Sequence, residues 1–391
     1  MKVLFISAGD YKYGAPKSML ELMLELREKY GITPILLTKK HNQINKICDD
    51  KNIENYSFWY SDIMAGAPYK SKILKLAKHT VKYLLFCLGK VTEHKKSEIP
   101  FDEIDLIHTN LNRIGIGAYF SKKYNIPHIW HLRELGKEDY NVVLYKKNCI
   151  RYMNDNANAF IAISNAVKKA WVEKGINEKK IDVIYNFLDL SQFQKRDIKT
   201  TDVLKIVMTG HIQPNKGQIQ LVKAMRYIPE SIKQHIKIDF YGEGYREYTE
   251  EIEREIKKLN CENIVTFKGY SKDIPKLLCQ YDIGVVASKA EGFGRVTVEY
   301  MAAGLLVIAS NTGANEEIIK DGVTGLIYKY NNIRNLADKI IWAFHNQKKM
   351  NEISVRGNQY VYDNFSKNSN IAEMVYAKYK SVIEKVGEKN K

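Results

Sequence analysis

Short apolar runs alternate with longer amphipathic runs along nearly the whole chain. Such alternation is typical of βα units that build a parallel sheet. In the first half the apolar runs predict strands at 2–7, 33–38, 105–109, 127–131, 158–163 and 181–185. In the second half they predict strands at 205–210, 237–241, 264–268, 282–287, 305–309 and 326–328. The amphipathic stretches between them, such as 16–29 and 165–173, are predicted helices. The pattern therefore predicts two similar, doubly wound α/β domains that bind ligands beyond the carboxyl ends of their strands.

The length of 391 residues also favours two domains, because one hydrophobic core seldom serves so long a chain. Residues 188–203 are polar and charged without a clear period, and we expect the linker between the domains there. The first domain then covers residues 1–188 and the second 189–370. After them, residues 371–386 repeat apolar side chains at helical spacing, namely Met374, Val375, Tyr379, Val382 and Ile383. A C-terminal helix at about 371–391 could therefore pack back on the first domain.

The composition, with 45% hydrophobic and 27% charged residues, is that of a globular protein rather than a disordered chain. No apolar run reaches the roughly 18 residues that a membrane span needs. The apolar start at residues 2–7 is too short for a signal peptide and runs into an acid, so a buried strand is expected. The five cysteines are scattered without a C-x-x-C pair, and the histidines form no close ligand pair, so neither a disulfide framework nor a metal site is expected. We expect a cytoplasmic protein.

The formal net charge of +16 bears on partners rather than on the fold. It suits nucleic acid, an anionic membrane surface or a phosphorylated substrate equally well. Residues 69–96 concentrate the charge, with eight lysines and one glutamate among leucines and isoleucines. A basic amphipathic helix of this kind can lie on an anionic membrane, which would place the protein at the inner face of the plasma membrane. The alternative is an ordinary helix of the domain with one core face and one solvated face of lysines.

The second domain contains a glycine-flanked loop between a predicted strand and a predicted helix. The strand at 282–288 leads into the loop, the helix covers 296–303, and Gly304 stands where a helix commonly ends. A loop of this kind presents free backbone N–H groups at the positive end of a helix, which favours phosphate. Gly292 and Gly294 allow the backbone to approach such a ligand without side-chain obstruction.

Two acids accompany this loop. Glu291 lies in the loop and Glu299 in the second turn of the helix. A carboxylate in so apolar a helix needs partners, because an unpaired buried charge is costly. A ribose diol would satisfy Glu299 with two hydroxyl groups. The alternative is that Glu299 is solvated or salt-bridged and that the glycines only form a turn.

A second loop of the same type follows the strand at 205–209. It runs from Gly210 to Gly217, includes Lys216, and precedes a helix that starts near Gln218. A lysine in this position can reach a diphosphate as a point charge. By itself it is weak evidence, because most loop lysines are only solvated.

Together these features resemble glycosyltransferase family four, a large group of retaining enzymes with the GT-B fold. The resemblance covers most of the second domain and rests on short elements in the expected order. They are Gly210 with Lys216-Gly217, Tyr241-Gly242-Glu243-Gly244, Phe267-Lys268-Gly269 with Asp273-Ile274-Pro275, Glu291 with Glu299, Met301-Ala302-Ala303-Gly304, and Asp321-Gly322-Val323-Thr324-Gly325-Leu326. The GT-B fold implies two Rossmann-like domains that face a central cleft, the first for the acceptor and the second for the nucleotide-sugar donor.

The resemblance also implies roles for individual residues of the second domain. Lys216 would hold the donor diphosphate, Glu299 the ribose hydroxyls, and Glu291 would face the transferred sugar. The backbone around Phe293, Gly294 and Arg295 would bind the phosphates or the sugar, and Gly269 and Tyr270 would flank the base. Many relatives carry an arginine where this chain has His211, so one phosphate contact is weaker here or Arg295 compensates for it.

The first domain contributes two candidate groups. Gly14-Ala15 resembles part of the glycine-rich loop that the family places beside the donor phosphates, although Tyr13 replaces one of its glycines and a plain turn explains the pattern nearly as well. His131 lies near the carboxyl end of a predicted strand, opposite Trp130, and the resemblance favours it as a residue at the donor sugar. Arg133 and Glu134 are its less certain neighbours. Asn110, Asn165 and Asn186 end or follow strands in the same way and are possible cleft residues.

The function implied is transfer of a sugar, as by a retaining hexosyltransferase, from a nucleotide-diphosphate sugar to a hydroxyl of a carbohydrate or lipid-linked acceptor. Polysaccharide or glycolipid synthesis is the expected setting, without a metal or other cofactor and without nucleic acid as a partner. His131 and Glu291 are the catalytic candidates. A sugar-nucleotide epimerase of similar shape, and a non-catalytic protein that binds a nucleotide sugar or nucleic acid, remain alternatives. A dinucleotide-dependent oxidoreductase is less favoured, because no G-x-G-x-x-G follows the first strand.

Overall fold

The structure of the chain is a computed structural model that describes residues 1–8, 14–66, 98–136, 142–144 and 148–389, together with residues 80, 81 and 84. The chain divides into two compact units. The first consists of Met1–Leu188 and Asn370–Lys391, and the second of Asp189–Ser369. Most of the basic segment 69–96 lies outside the described residues. Among the described residues, no helix is both long and apolar enough to cross a membrane.

The first unit is built on a parallel sheet of seven strands in the order β3-β2-β1-β5-β6-β8-β9. A separate antiparallel pair is formed by β4 and β7. The strands are β1 (Lys2–Ser7), β2 (Thr33–Thr38), β3 (Asn55–Ser57), β4 (Met64–Gly66), β5 (Leu106–Asn110), β6 (His128–Leu132), β7 (Val142–Leu144), β8 (Ala159–Ala162) and β9 (Ile181–Val183). The helices described before the unit boundary are α1 (Gly14–Tyr30), α2 (Gln43–Asp50), α3 (Ile116–Tyr124), α4 (Cys149–Asn156) and α5 (Asn165–Glu173).

The second unit is built on a parallel sheet of six strands in the order β12-β11-β10-β13-β14-β15. Its strands are β10 (Leu204–Thr209), β11 (Ile236–Tyr241), β12 (Val265–Gly269), β13 (Ile283–Val286), β14 (Leu306–Ser310) and β15 (Leu326–Tyr328). Its helices are α6 (Gln218–Ala224), α7 (Glu230–Lys233), α8 (Arg246–Lys258), α9 (Ile274–Leu277), α10 (Arg295–Ala302), α11 (Asn315–Ile318), α12 (Ile333–His345) and α13 (Gln347–Phe365). Short 3-10 turns occur at Pro214–Lys216, Met225–Tyr227 and Leu278–Gln280.

The last helix, α14 (Ile371–Lys389), belongs to the first unit. It lies beside α1, where the rings of Tyr30 and Tyr376 stack with their centroids 4.5 Å apart. Its buried face includes Val375, Tyr379 and Val382. Met374, which we expected on that apolar face, is instead largely exposed, because it lies a quarter turn from Val375 on the solvent side of the helix.

The predicted strands agree with the observed ones to within two residues at each end. They include the central strands of both sheets, whose apolar runs are buried. The sequence pattern did not predict β3, β4 and β7, which have three residues each.

The boundary between the units falls at the start of the expected linker at 188–203, and residues 189–203 belong to the second unit. Most of these residues are exposed, but a few are packed into that unit. Leu190 and Phe193 are buried, and so is Arg196, which pairs with Asp282 at 2.8 Å and donates to the carbonyl of Gly304 at 3.0 Å. The segment is irregular chain in which three side chains, those of Leu190, Phe193 and Arg196, anchor it to the second unit.

Candidate functional site

The loop that contains Lys216 packs against the residues that follow β13, and Gly217 makes the contact. Gly217 has φ +72°, and a Cβ atom there would lie 2.2 Å from the carbonyl oxygen of Ala287. No residue with a side chain fits such an approach. The backbone N–H of Lys289 donates to the carbonyl of Asn215 at 2.8 Å and ties the two loops together again.

The contact between the two loops places the side chain of Lys216 beside that of Glu291. Lys216 Nζ lies 3.0 Å from Glu291 Oε2, and the two side chains are 27% and 14% exposed. The sequence singled out both residues for a donor site but did not predict that they touch. Their ion pair is partly shielded from water, so it is stronger than the usual surface pair.

The backbone of Glu291 is also held from its other side. Its carbonyl oxygen accepts a hydrogen bond from the N–H of Ala314 at 2.8 Å. Next to it, Gly313 has φ +56°, and a Cβ atom there would lie 2.0 Å from the same oxygen. Gly313 is therefore a site residue that the sequence analysis missed, because nothing local in the chain marks its contact with Glu291.

Helix α10 begins at this point with its positive end beside the two loops. Gly294 caps the helix with φ +90°, and α10 starts at Arg295. Arg295 Nε donates to Glu299 Oε1 at 3.1 Å, one turn along, and both side chains are 15% exposed. The salt-bridged alternative for Glu299 therefore describes its contact in this structure. Phe293, just before the helix start, is buried with its ring against that of Phe365.

Three neighbouring strands of the second sheet end in glycines. Gly210 follows β10, Gly242 follows β11 and Gly269 ends β12. A Cβ atom at Gly242 would lie 2.0 Å from the carbonyl oxygen of Gly210, so these two strand ends are in close contact. Gly269 has φ +71° with no atom near the position of a Cβ, and the ring of Tyr270 beside it is 60% exposed.

His211 lies at the same edge of the sheet and is exposed. Its ring meets that of Tyr245 edge-on, with the centroids 5.0 Å apart. The carbonyl oxygen of His211 accepts from Gln218 Nε2 at 3.1 Å, which fixes the backbone of the loop. His211 is thus placed with the Lys216 loop, although the structure shows no contact between the two side chains.

In the first unit, His131 lies on the face of β6 opposite Trp130, as strand alternation predicts. Its side chain is 2% exposed, and His131 Nδ1 lies 3.0 Å from His108 Nε2. Burial, with a smaller effect of Arg133 and then His108, holds the pKa of His131 well below its ordinary value. The imidazole is therefore neutral at physiological pH.

Arg133 connects the other predicted residues of this edge. Its Nε donates to Asn110 Oδ1, and its Nη1 donates to Asn186 Oδ1 at 2.5 Å. Asn110 in turn donates to the carbonyl of Ala15 at 3.2 Å. Asn165 is not part of this network and donates to the hydroxyl of Tyr185 instead. The structure thus joins Arg133, Asn110 and Asn186 beside His131.

Gly14 and Ala15, expected in a loop, form the first turn of α1 instead. The rest of that loop, residues 9–13 with Tyr13, lies outside the described residues. The helix starts two residues earlier than expected because Pro16 is compatible with a first helical turn, where the backbone N–H has no partner to lose.

Glu134 follows β6 and is buried next to Asn112, whose side chain hydrogen-bonds to it. Burial raises the pKa of Glu134, and the nearby Arg113 opposes this effect. The structure places Glu134 apart from the hydrogen bonds of Arg133 described above.

Two polar residues of this region were not predicted. His108 lies on β5 beside His131, and its Nδ1 lies 2.5 Å from the hydroxyl of Tyr379 on α14. The sequence analysis assigned Tyr379 to an apolar helix face and did not consider His108. Alternation along β5 places His108 and Asn110 on one face, and this was the only signal that could have found it.

The chain matches known families along most of its described length. A family model described as Glycosyltransferase Family 4 matches residues 66–192, and one described as Glycosyl transferases group 1 matches residues 191–360. An uncharacterized glycosyltransferase of Methanocaldococcus jannaschii is 28% identical over 79% of this chain and 85% of its own length. The poly(ribitol-phosphate) alpha-N-acetylglucosaminyltransferase of Staphylococcus aureus is 24% identical over 93% of this chain and 75% of its own.

A solved structure shows the same fold. HepE of Anabaena, in complex with UDP-glucose, superposes with a TM-score of 0.77 at 22% identity and covers 97% of this chain and 100% of its own. The two family models follow one another and together match more than half of the chain. The chain belongs to the group 1 glycosyl transferases of family four, and it is a glycosyltransferase with the GT-B fold.

Proposed function

We propose that this glycosyltransferase is a retaining enzyme that moves a sugar from a nucleoside-diphosphate sugar to an acceptor hydroxyl. The observation that carries the proposal is that two ion pairs, Lys216–Glu291 and Arg295–Glu299, lie in the loops and helix start at the carboxyl edge of the second sheet. Both cations are within reach of ligand at this edge, and each is paired with an acid. The residues are those that the family resemblance assigns to the donor.

The two cations would serve the diphosphate. Lys216 is oriented by Glu291, and Arg295 by Glu299, so neither side chain has to be ordered when a ligand arrives. A diphosphate carries more negative charge than one carboxylate and competes for both cations. As the bond to the sugar breaks, charge builds on the leaving diphosphate. Lys216, Arg295 and the first N–H groups of α10 would stabilise it, with about 3 kcal/mol from each well-placed donor.

The acids and the exposed ring would hold the other parts of the donor. Glu299 would accept hydrogen bonds from the ribose hydroxyls once Arg295 turns to phosphate. Glu291 would face the transferred sugar beside Lys216. Gly269 and Tyr270 would lie along the base, because an open glycine and an exposed ring provide a flat surface. His131 would contact hydroxyl groups of the donor sugar as a neutral imidazole.

The proposed reaction is a front-face displacement. The acceptor oxygen forms a bond to the anomeric carbon on the side from which the diphosphate leaves, and the acceptor proton passes to the departing phosphate oxygen. The bond between the anomeric carbon and that oxygen breaks, so configuration is retained. A front-face displacement needs no protein nucleophile, so we assign none to Glu291 or Glu299.

The relatives suggest which substrates to try first. The Anabaena structure contains UDP-glucose, and the Staphylococcus relative is named for transfer of N-acetylglucosamine to a polyol-phosphate polymer. We propose UDP-sugars as donors and a carbohydrate or lipid-linked sugar as acceptor, in the synthesis of cell-surface polysaccharide or glycolipid. The basic segment 69–96 is the proposed contact with an anionic membrane at the inner face of the plasma membrane.

The test removes one cation and one acid of the proposed donor site. Lys216→Ala and Glu299→Ala are expected to lower UDP binding by calorimetry and to abolish transfer from UDP-glucose or UDP-N-acetylglucosamine. The matched controls are Lys237→Ala, at the amino end of β11, and Glu255→Ala, a helix acid paired with Arg226 at 3.0 Å. The controls should bind UDP and transfer sugar like the parent. Parent-like turnover in both site variants, with the melting temperature retained, would sink the assignment.

The same assay separates the alternatives. An epimerase converts the donor sugar without an acceptor, so incubation with donor alone should give no new sugar nucleotide if the proposal holds. Retention is checked by the proton coupling constant of the anomeric centre in the product. Binding of nucleic acid at physiological ionic strength without binding of UDP would favour the non-catalytic alternative.

A further inference from the structure

Three rings from distant parts of the chain form a buried line in the first unit. Tyr379 of α14 reaches His108 Nδ1 at 2.5 Å, and His108 Nε2 reaches His131 Nδ1 at 3.0 Å. Tyr379 and His108 are fully buried and His131 nearly so. The ring of Phe5 stacks on that of His108 with the centroids 5.2 Å apart, which limits rotation of the imidazole.

A fourth group fixes the direction of the hydrogen bonds. Arg133 Nη2 lies 3.4 Å from His131 Nδ1. A guanidinium can only donate, so a proton on this nitrogen would point at the N–H of Arg133. His131 Nδ1 is therefore the acceptor, and the proton of the neutral ring is on Nε2. It follows that His108 donates from Nε2 and accepts at Nδ1 from the hydroxyl of Tyr379.

This direction of the hydrogen bonds requires that both imidazole rings are neutral. Burial, followed by the charge of Arg133, holds the pKa of both His108 and His131 well below the ordinary value. Each neutral imidazole has one donor and one acceptor, so the proton position of one ring determines that of the next. Tyr379, at the far end, donates its hydroxyl proton to His108 Nδ1, which is the direction that Arg133 requires at the near end.

The near end of the line has no partner. His131 Nε2 is buried without a hydrogen bond among the described residues. An unpaired buried donor costs about 1–3 kcal/mol of stability. A ligand that accepts its hydrogen bond removes this cost, so such a donor is typical of a binding site. An N–H group in this position suits the oxygen of a sugar hydroxyl.

We propose that Tyr379 and His108 are positioning residues that fix His131 as a neutral Nε2–H donor for an oxygen of the bound sugar. The proposal rests on the proposed role of His131 at the donor sugar. In this proposal α14 also positions a residue of the site. The Tyr30–Tyr376 stack and the Lys378–Asp182 ion pair anchor the helix, and the helix holds the Tyr379 hydroxyl in place.

The test reads the proton position directly. Long-range proton–nitrogen NMR of ¹⁵N-histidine-labelled full-length protein should show His131 protonated at Nε2 and unprotonated at Nδ1. Tyr379→Phe keeps the ring but removes the hydroxyl that donates to His108 Nδ1. This variant should move the proton of neutral His108 toward Nδ1, so that His108 Nε2 no longer donates to His131 Nδ1. It should also lower kcat for transfer from UDP-glucose on the order of tenfold, the value of about one hydrogen bond. Tyr376→Phe removes a hydroxyl from the same helix and should change neither quantity.

The outcomes separate this proposal from the one on which it rests. Protonation of His131 at Nδ1 in the parent protein overturns the inferred direction, and this measurement needs no variant to fold. An unchanged His108 tautomer in a folded Tyr379→Phe protein overturns the part assigned to Tyr379. A shifted tautomer with parent-like transfer contradicts a role of His131 at the sugar, while UDP binding and the Lys216 variants still report on the donor site.

Discussion

Gly313 illustrates how a single missing side chain determines the geometry of the site. Its φ of +56° disfavours any other residue, and a Cβ atom would lie 2.0 Å from the carbonyl oxygen of Glu291. A methyl group there has to push the Glu291 loop away, and with it the carboxylate that orients Lys216. The close contact adds to the ordinary cost of a left-handed backbone, about 1–2 kcal/mol.

We expect Gly313→Ala to destabilise the second unit by about 2–4 kcal/mol and to weaken UDP binding and transfer. Gly322→Ala is the matched control, because Gly322 has φ +71° and no atom within 4 Å of the Cβ position. The Gly322→Ala variant should lose only the about 1–2 kcal/mol of unfolding free energy that a left-handed backbone costs, and it should keep its activity. Urea unfolding and calorimetry with UDP provide the two measurements, and equal effects of the two substitutions would contradict the contact.

Some residues of the site have a local sequence pattern that predicts them, and others are recognised only by their contacts. Lys216, Glu291, Glu299 and the glycines between them could be predicted because each lies in a strand–loop–helix passage with its own local pattern. The contact of Lys216 with Glu291, which are 75 residues apart, could not. Nor could the role of Gly313, because a close approach of two loops leaves no trace in either loop alone.

Among the elements, the irregular segment before β10 differs most from expectation. Its lack of period suggested a linker, yet Arg196 is buried and bonded to Asp282, Asn351 and the carbonyl of Gly304. Burial lowers the pKa of Arg196 from its usual value and Asp282 opposes this, so the guanidinium and its partners depend on one another. Removing one member leaves a buried carboxylate without its cation.

Arg196→Ala is therefore expected to cost about 3–5 kcal/mol of unfolding free energy in the second unit. The matched control is Arg246→Ala, whose ion pair with Glu250 at 2.8 Å involves a side chain that is 91% exposed. That pair should contribute less than about 1 kcal/mol. Chemical unfolding followed by circular dichroism gives both values, and a small loss for Arg196→Ala would show that the segment is a linker after all.

On the scale of the whole molecule, the first unit depends on the two ends of the chain. Its sheet comes from the first 188 residues, while α14 returns to it with Val375, Tyr379 and Val382 buried. The second unit is continuous between these parts. The apolar spacing of the last segment indicated a helix but could not indicate which surface would bury it.

A chain ending after Ser369 should therefore lose stability in the first unit only. We expect its calorimetric scan to show one transition moved to lower temperature by at least several degrees and another, that of the second unit, unchanged. A chain ending after Gly387 keeps the buried residues of α14, removes the exposed Glu388 with the three residues after it, and should melt like the parent. UDP binding, if the second unit holds the donor, should survive the longer truncation. A shift of both transitions would argue against this division.

The sequence by itself determined the order of strands and helices, the two α/β halves, the family, and the residues of the donor motifs. All of these depend on patterns within a few turns of chain, where periodicity and spacing act directly. The tertiary structure decided the pairing of Lys216 with Glu291, the burial of Arg196, and the line from Tyr379 through His108 to His131. Tyr379 and His108 are 271 residues apart, and their contact exists only because a helix from the end of the chain packs on the first sheet. Burial then makes such contacts consequential, because a polar group removed from water must find its partner within the protein.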